Sequence, residues 1–280
     1  GEKITQKILK AGGREKNMES KFRRMDGEEI DVLFSVESLE IDGSMCFIGS
    51  FIDISQRKKA EKEIKEFIQQ YYKGEIQSNN RQILNYKEID LYLPDLKFGI
   101  EYNGMYWHRE EEVGKQYHLN KTELAESKNV TLFQLFEIEW NNKKEIVKSK
   151  ILNKLAGCKK IHARKTKVVF LETEEKNNFL ERTHLQGKDN STILLGLSYE
   201  NNLVACMTFG KSRYNQNYNF ELVRYSSELN TNVVGGASKL FSHFINHYKG
   251  SVISYADRRW SNGNLYKKLN FNFLNNTSPG

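Results

Sequence analysis

The sequence predicts an α+β protein built from more than one module, and three observations lead there. Residues 19–53 alternate apolar and polar positions between Asp-Gly turns, which is the period of antiparallel strands. Residues 72–156 set short, nearly continuous apolar runs between stretches of helical period, as in a layered α/β or α+β core. Residues 160–280 return to alternating runs and then open a helix after a Gly-Gly pair. Two or three modules also suit a chain of 280 residues, since a domain takes roughly 100–200.

Composition narrows the class. Apolar residues make up 38% and aromatic ones 12%, too much core material for a disordered polymer. No run approaches the ~18–20 apolar residues of a membrane span, and residues 1–30 lack a signal-peptide core, so no membrane partner is expected. Cys46, Cys158 and Cys206 are too scattered for a disulfide framework or a zinc spacing, which favours a reducing, cytoplasmic setting. The formal charge of +7 favours a polyanionic partner. The ends, Gly1 and Ser278-Pro279-Gly280, read as cut edges of a longer protein.

In the first module, strands are expected over 20–25, 30–39 and 45–54. Asp26-Gly27 and Asp42-Gly43 part them, because such turns need the positive φ that glycine tolerates. The period then changes: Ser55 is the expected N-cap, and 59–71 reads as an amphipathic helix carrying Ile64, Phe67, Ile68 and Tyr71. The stretches Phe22-Arg23-Arg24-Met25-Asp26-Gly27 and Gly49-Ser50-Phe51-Ile52-Asp53-Ile54-Ser55-Gln56-Arg57-Lys58-Lys59-Ala60-Glu61 resemble the C-terminal half of a PAS domain. The resemblance covers about half of such a fold, so it implies no cofactor. The expected boundaries are 1–58 for this partial PAS-like segment, 59–74 for a helical linker, 75–156 for a second module and 157–280 for a truncated third.

The second module reads as a helix over 72–84, strands over 88–93 and 98–102, a helix over 118–128, a strand over 130–136 and a closing helix over 145–155. Asp90 and Glu101 emerge on adjacent strands in otherwise apolar runs. Buried carboxylates need an offset, and a divalent cation supplies one: Mg²⁺ takes one or two carboxylates plus water and phosphate oxygens. His108, just after the second strand, titrates near neutrality and suits proton transfer. The plainer alternatives are that Asp90 pairs with a lysine, Glu101 sits on a strand edge, and His108 is a packed, satisfied ring.

The run Glu88-Ile89-Asp90-Leu91-Tyr92-Leu93-Pro94, followed by Gly99-Ile100-Glu101-Tyr102-Asn103-Gly104-Met105-Tyr106-Trp107-His108, resembles the very-short-patch repair branch of the PD-(D/E)xK nucleases. It resembles still more closely the homing endonucleases of the EDxHD type. The resemblance implies a mixed sheet flanked by helices and Mg²⁺-dependent (or other divalent-metal) cleavage of double-stranded DNA. It makes Asp90 the metal ligand, His108 the acid/base and Glu75 a supporting carboxylate from the first helix. Glu101 falls where the general pattern has its second carboxylate, while Asn103 stands where that pattern has lysine. His118, Lys121 and Glu139 are second-tier; His118 and Lys121 share a helical face that suits phosphate contact or simple solvation.

From Lys143 to Lys167 ten basic residues face a single acidic one, Glu145. Beside a nuclease this linker suits phosphate contact, with Lys144, Lys148, Arg164 and Lys165 as candidates; otherwise it is a solvated linker. In the third module a helix is expected over 173–183, strands over 193–199, 202–209, 220–225 and 252–255, and helices over 238–248 and 264–269. Asn232-Val233-Val234-Gly235-Gly236-Ala237 and Asn264-Leu265-Tyr266-Lys267-Lys268-Leu269-Asn270-Phe271 resemble the acyl-CoA loop and a C-terminal stretch of GNAT acyltransferases. Asn232 and Asn270 depart from that pattern. Arg258, Arg259 and Trp260 are candidates for DNA contact. The function expected is a homing-type, metal-dependent DNA endonuclease. Two other classes stand beside it: a DNA-binding regulator that does not cut and forms a homodimer through the PAS-like segment, and an acyltransferase.

Overall fold

The computed structural model describes residues 14–104 and 111–277. It is α+β, and it divides into two compact units, Gly1–Ile64 and Lys65–Gly280.

The first unit is an antiparallel meander of β1 (Arg14–Arg23), β2 (Glu29–Ile41) and β3 (Ser44–Asp53), in that order. The Asp42-Gly43 turn has φ of 51° and 76°, the double positive value that a tight hairpin requires. Phe22 meets the rings of Phe34 and Phe51 at 5.7 and 6.1 Å, and Val32 is fully buried. Helix α1 (Ser55–Tyr71) begins four residues before the expected start. Asp53, rather than Ser55, supplies the oxygen at its entry: Asp53 Oδ1 accepts from the Ser55 N–H at 2.9 Å. That bond and one from the Ser55 side chain hold the Asp53 carboxyl below its usual range. The Ser55 hydroxyl instead accepts from the Asp31 N–H.

In the second unit the first sheet has the order β4 (Gln77–Leu84), β5 (Lys87–Leu93), β6 (Phe98–Asn103), β7 (Thr131–Phe136). Pairing is antiparallel until β6–β7, which is parallel, with α2 (Glu111–Ser127) between them in sequence. The helix expected over 72–84 is therefore wrong. Its second half is β4, turned into β5 at Asn85-Tyr86, where φ is 48° and 69°. A turn of this kind without glycine left no local signal, and pairing with β5 overrode an apparent helical period. Ala125, Leu132, Ile89 and Tyr92 join α2 to the sheet as one apolar cluster.

Helix α3 (Glu137–Lys154) starts directly after β7, which ends at Phe136 as the strand expected over 130–136 does. The Glu139 side chain accepts from the Phe136 N–H at 3.1 Å, and Lys143 is non-helical (φ −133°, ψ 33°). That kink breaks the helical period, which is why only the stretch from 145 onward is legible as helix.

The basic tract is not a linker. It comprises the rest of α3, β8 (Lys159–His162), a 3-10 turn at Ala163–Lys165 and the start of β9 (Lys167–Phe170). There follow α4 (Thr173–Thr183), β10 (Ile193–Tyr199), β11 (Asn202–Lys211), β12 (Phe220–Ser227), β13 (Thr231–Val234), α5 (Gly236–His247), β14 (Val252–Ser254) and α6 (Asn264–Lys268). The large sheet has the order β14-β12-β11-β10-β9, with β12 and β14 parallel, and β13 pairs with β8 in parallel. Phe209 stacks on Phe244 of α5 at 3.7 Å within a core that includes Leu195, Leu197, Met207 and Leu240. Phe179 and Leu180 of α4 form a second cluster with Leu194 and Cys206. There Lys176, fully buried, pairs with Asp189 at 3.3 Å, and Asp189 also accepts from Thr208 Oγ1 at 2.7 Å. Among the described residues no helix is long and apolar enough to cross a membrane.

Candidate functional site

The β5–β6 ladder brings Asp90 and Glu101 close, and the way it ends explains why Asp90 is acidic. Paired residues run Leu93↔Phe98, Tyr92↔Gly99 and Leu91↔Ile100. Just beyond, Asp90 Oδ2 does the work of a backbone carbonyl and accepts from the Tyr102 N–H at 2.7 Å. Asp90 is 3% exposed and Glu101 8%.

Carboxylates at that depth need compensation. For Glu101 it comes from α2: Lys121 Nζ forms an ion pair with Glu101 Oε1, and Lys121 is 1% exposed. Lys121 thus belongs to the interior, not to a solvated, DNA-facing side of the helix. The sequence missed this because the lysine comes twenty residues after the glutamate, on a different element. Next to it, Asn103 Nδ2 donates to Gln134 Oε1 at 2.9 Å and Gln134 Nε2 donates to Thr122 Oγ1 at 3.4 Å. Asn103, at the position where the general nuclease pattern has lysine, helps to tie β6, β7 and α2 together.

Glu75 is not on a helix. It is exposed in the segment between α1 and β4, where it accepts from Gln77 Nε2 at 3.0 Å. His108 lies outside the described residues. His118 packs edge-on against Phe136 at 5.5 Å. Among the described residues no group of three or more His, Cys, Asp or Glu side chains gathers around a common point. Asp90 and Glu101 nonetheless supply hard carboxylate oxygens in the number that Mg²⁺ uses, so the donor chemistry fits that ion.

The loop after β14 reaches the same elements. Arg258 binds Glu123 and Glu126 of α2 at 3.2 and 2.6 Å. Arg259 binds Glu139 of α3 at 3.1 Å and Asp257 at 2.7 Å, and its carbonyl accepts from the Gln134 N–H. Trp260, 9% exposed, packs on Phe133 at 4.9 Å. These residues were expected to face DNA; carboxylates and rings of the protein occupy them instead. A cleft of about 2190 Å³ runs along this junction, lined by His118, Thr122, Gln134, Glu139, Arg258 and Arg259.

The remaining cations divide into engaged and free. Lys148 pairs with Glu145 at 3.1 Å and lies over the Phe67 ring, and Lys144 lies over the Trp140 ring at 4.9 Å. Lys159, Lys160, Arg164, Lys165 and Lys167 are exposed on β8, the turn and β9, and none has an acidic partner within 4 Å among the described residues. Lys239 of α5 holds that turn by donating to the carbonyls of Ala163 and Thr166. Burial drives His184 down to about 3, so it is a poor proton acceptor at neutral pH.

At the start of α5, Gly235 has φ of 78°, and a Cβ on Gly236 would come within 2.8 Å of Val233. Position 235 therefore demands glycine for its backbone conformation and position 236 for packing, whatever else the loop does.

Compared with known proteins, the chain matches no family model, no curated protein and no solved structure.

Proposed function

We propose that the chain is a metal-dependent DNA endonuclease that hydrolyses phosphodiester bonds. One observation carries the reading: Asp90 and Glu101 emerge side by side from β5 and β6, with the Lys121 ammonium buried against Glu101. Asp90 and Glu101 would hold a divalent ion, which when bound supplies charge neutralisation at phosphate and an acidified water. Lys121 pairs with Glu101 at depth and adds a fixed positive charge where phosphate charge develops in the transition state. The Gln134 amide fixes α2 against β6 and so fixes where that ammonium sits. His108 enters as the proton carrier through the family resemblance alone.

Supercoiled plasmid incubated with Mg²⁺, with Mn²⁺ and with EDTA tests the reading. Nicking in either metal and none in EDTA supports it. Retained DNA binding with no cleavage under any divalent ion leaves the non-cutting regulator in its place.

For DNA binding, the free cations matter more than the engaged ones. Replacing Arg164 and Lys165 together by alanine is expected to flatten the slope of log K against log salt by about 2, from roughly 0.9 per phosphate contact on duplex DNA. Replacing Arg258 is expected to leave that slope unchanged, since Glu123 and Glu126 already neutralise it. Fluorescence anisotropy in EDTA over a salt series measures both without cleavage.

A further inference from the structure

Two lysines of α3 have no part in the site described above. Lys150 and Lys154 are one helical turn apart, so their side chains share a face. Both amines rest on one aromatic pair: Lys150 Nζ is 5.7 Å from the centre of Trp260, and Lys154 Nζ is 5.5 Å from the centre of Phe133. Those two rings are themselves 4.9 Å apart. Neither amine has a hydrogen bond or a carboxylate within 4 Å among the described residues, although both side chains are largely withdrawn from water.

This is unusual chemistry for lysine. An ammonium has three donors and is normally kept in water or paired when it is buried. The Phe133 and Trp260 faces offset part of the lost hydration but supply no oxygen acceptor for the N–H groups. Burial lowers the pKa of both amines, and for Lys154 no acid counters it. The acids nearest Lys150, Asp257 and Glu139, act on it only at range and are bound by Arg259. The same residues elsewhere in the protein are treated differently: Lys121 and Lys176, both deeper, each meet a carboxylate. What the Lys150–Lys154 notch lacks is a compact anion with several acceptor oxygens.

The geometry points to a binding site for a phosphate-type oxyanion in the notch formed by Lys150, Lys154, Phe133 and Trp260. Two amines on one helix face, one turn apart, each carry N–H donors, a tetrahedral anion has an oxygen for each, and both side chains are partly exposed. The site stands on its own residues and does not depend on cleavage. Its occupant can be free phosphate or a phosphate of the DNA backbone, which share this chemistry.

Inorganic phosphate is the probe. In the full chain, millimolar phosphate is expected to raise the melting temperature above that in chloride at equal ionic strength, and calorimetry is expected to give saturable binding. Lys150→Met with Lys154→Met keeps the apolar stems on the rings and should weaken phosphate at least tenfold. Each single variant should weaken it by less, which keeps the test open if the double variant folds poorly. A phosphate response absent from the wild type, or equal in wild type and variants, overturns the proposal. Repeating the titration with a short DNA duplex present separates the sources. Competition assigns the notch to backbone phosphate; undiminished phosphate binding assigns it to a free oxyanion. Phosphate binding in a protein that never nicks plasmid would retire the endonuclease reading and leave this site standing.

Discussion

Lys121→Met is expected to come close to unfolding the second unit, and Lys121→Met with Glu101→Gln to restore most of the loss. Lys121 and Glu101 are 1% and 8% exposed, so removing one leaves a buried charge with its main partner gone. Breaking a buried pair this way costs about 3–5 kcal/mol, against a total stability of about 5–15 kcal/mol for a typical domain. Replacing both ends by neutral groups of similar shape removes the stranded charge and should return to within ~1–2 kcal/mol of wild type. Chemical denaturation of the three proteins measures this. Cleavage should follow a different pattern. The double variant should fold and still cut at least ~100-fold more slowly, because it lacks both a carboxylate proposed to hold the divalent ion and a fixed positive charge aimed at developing negative charge. If the double variant folds and cuts at the wild-type rate, the pair is a structural ion pair and nothing more.

Trp260→Ala should also be severe, and for a reason opposite to the one its sequence invites. Trp260 follows two arginines, and such a run reads as a DNA-facing surface. In the fold its ring packs on Phe133, it is 9% exposed, and its indole N–H points to Glu139 Oε1 at 3.4 Å. Truncating a buried tryptophan costs about 3–5 kcal/mol through lost transfer energy and the cavity left behind. Trp260→Phe, which keeps an aromatic face on Phe133, should cost less than half as much. Arg258→Ala should cost under ~1 kcal/mol, since Glu123 and Glu126 are close to half exposed and water screens both pairs. A Trp260→Ala protein as stable as wild type but defective in DNA binding would contradict this and return the residue to the DNA surface.

The consequence for the candidate site is mechanical. The Arg259 carbonyl holds the Gln134 N–H on β7, and the Gln134 side chain reaches Asn103 and Thr122 beside Glu101 and Lys121. The loop after β14 is therefore part of what keeps the site in register, although it is remote in sequence.

How much of this could be read from residues alone follows from the range of each interaction. The Asp42-Gly43 hairpin, β5, β6 and most of β10–β12 were legible because turn chemistry and alternation are local. Strand β4 was not, because Asn85-Tyr86 makes a tight turn without glycine and the polar run Ser78-Asn79-Asn80 shows no strand period. The short strands β8, β9 and β13 were missed because each has only four residues and a partner far away or on another segment. At the site, Asp90 and Glu101 stood out as acids in apolar runs. Their surroundings did not: Lys121 arrives from α2 and Gln134 from β7, and no spacing rule links them to Glu101. The ion pairs of Arg258 and Arg259 with α2 and α3 are hidden for the same reason, since Glu123, Glu126 and Glu139 lie more than a hundred residues earlier; only Asp257 is local.

The most direct measurement is the rate at which supercoiled plasmid is nicked in Mg²⁺ by the wild type and by Asp90→Ala, with DNA binding by both measured in EDTA. Mg²⁺-dependent nicking by the wild type is expected, with a loss of at least ~1000-fold in Asp90→Ala, as when a metal-holding group is removed, and binding that is little changed. Equal nicking by the two proteins, or none by either while both bind DNA, would contradict this expectation.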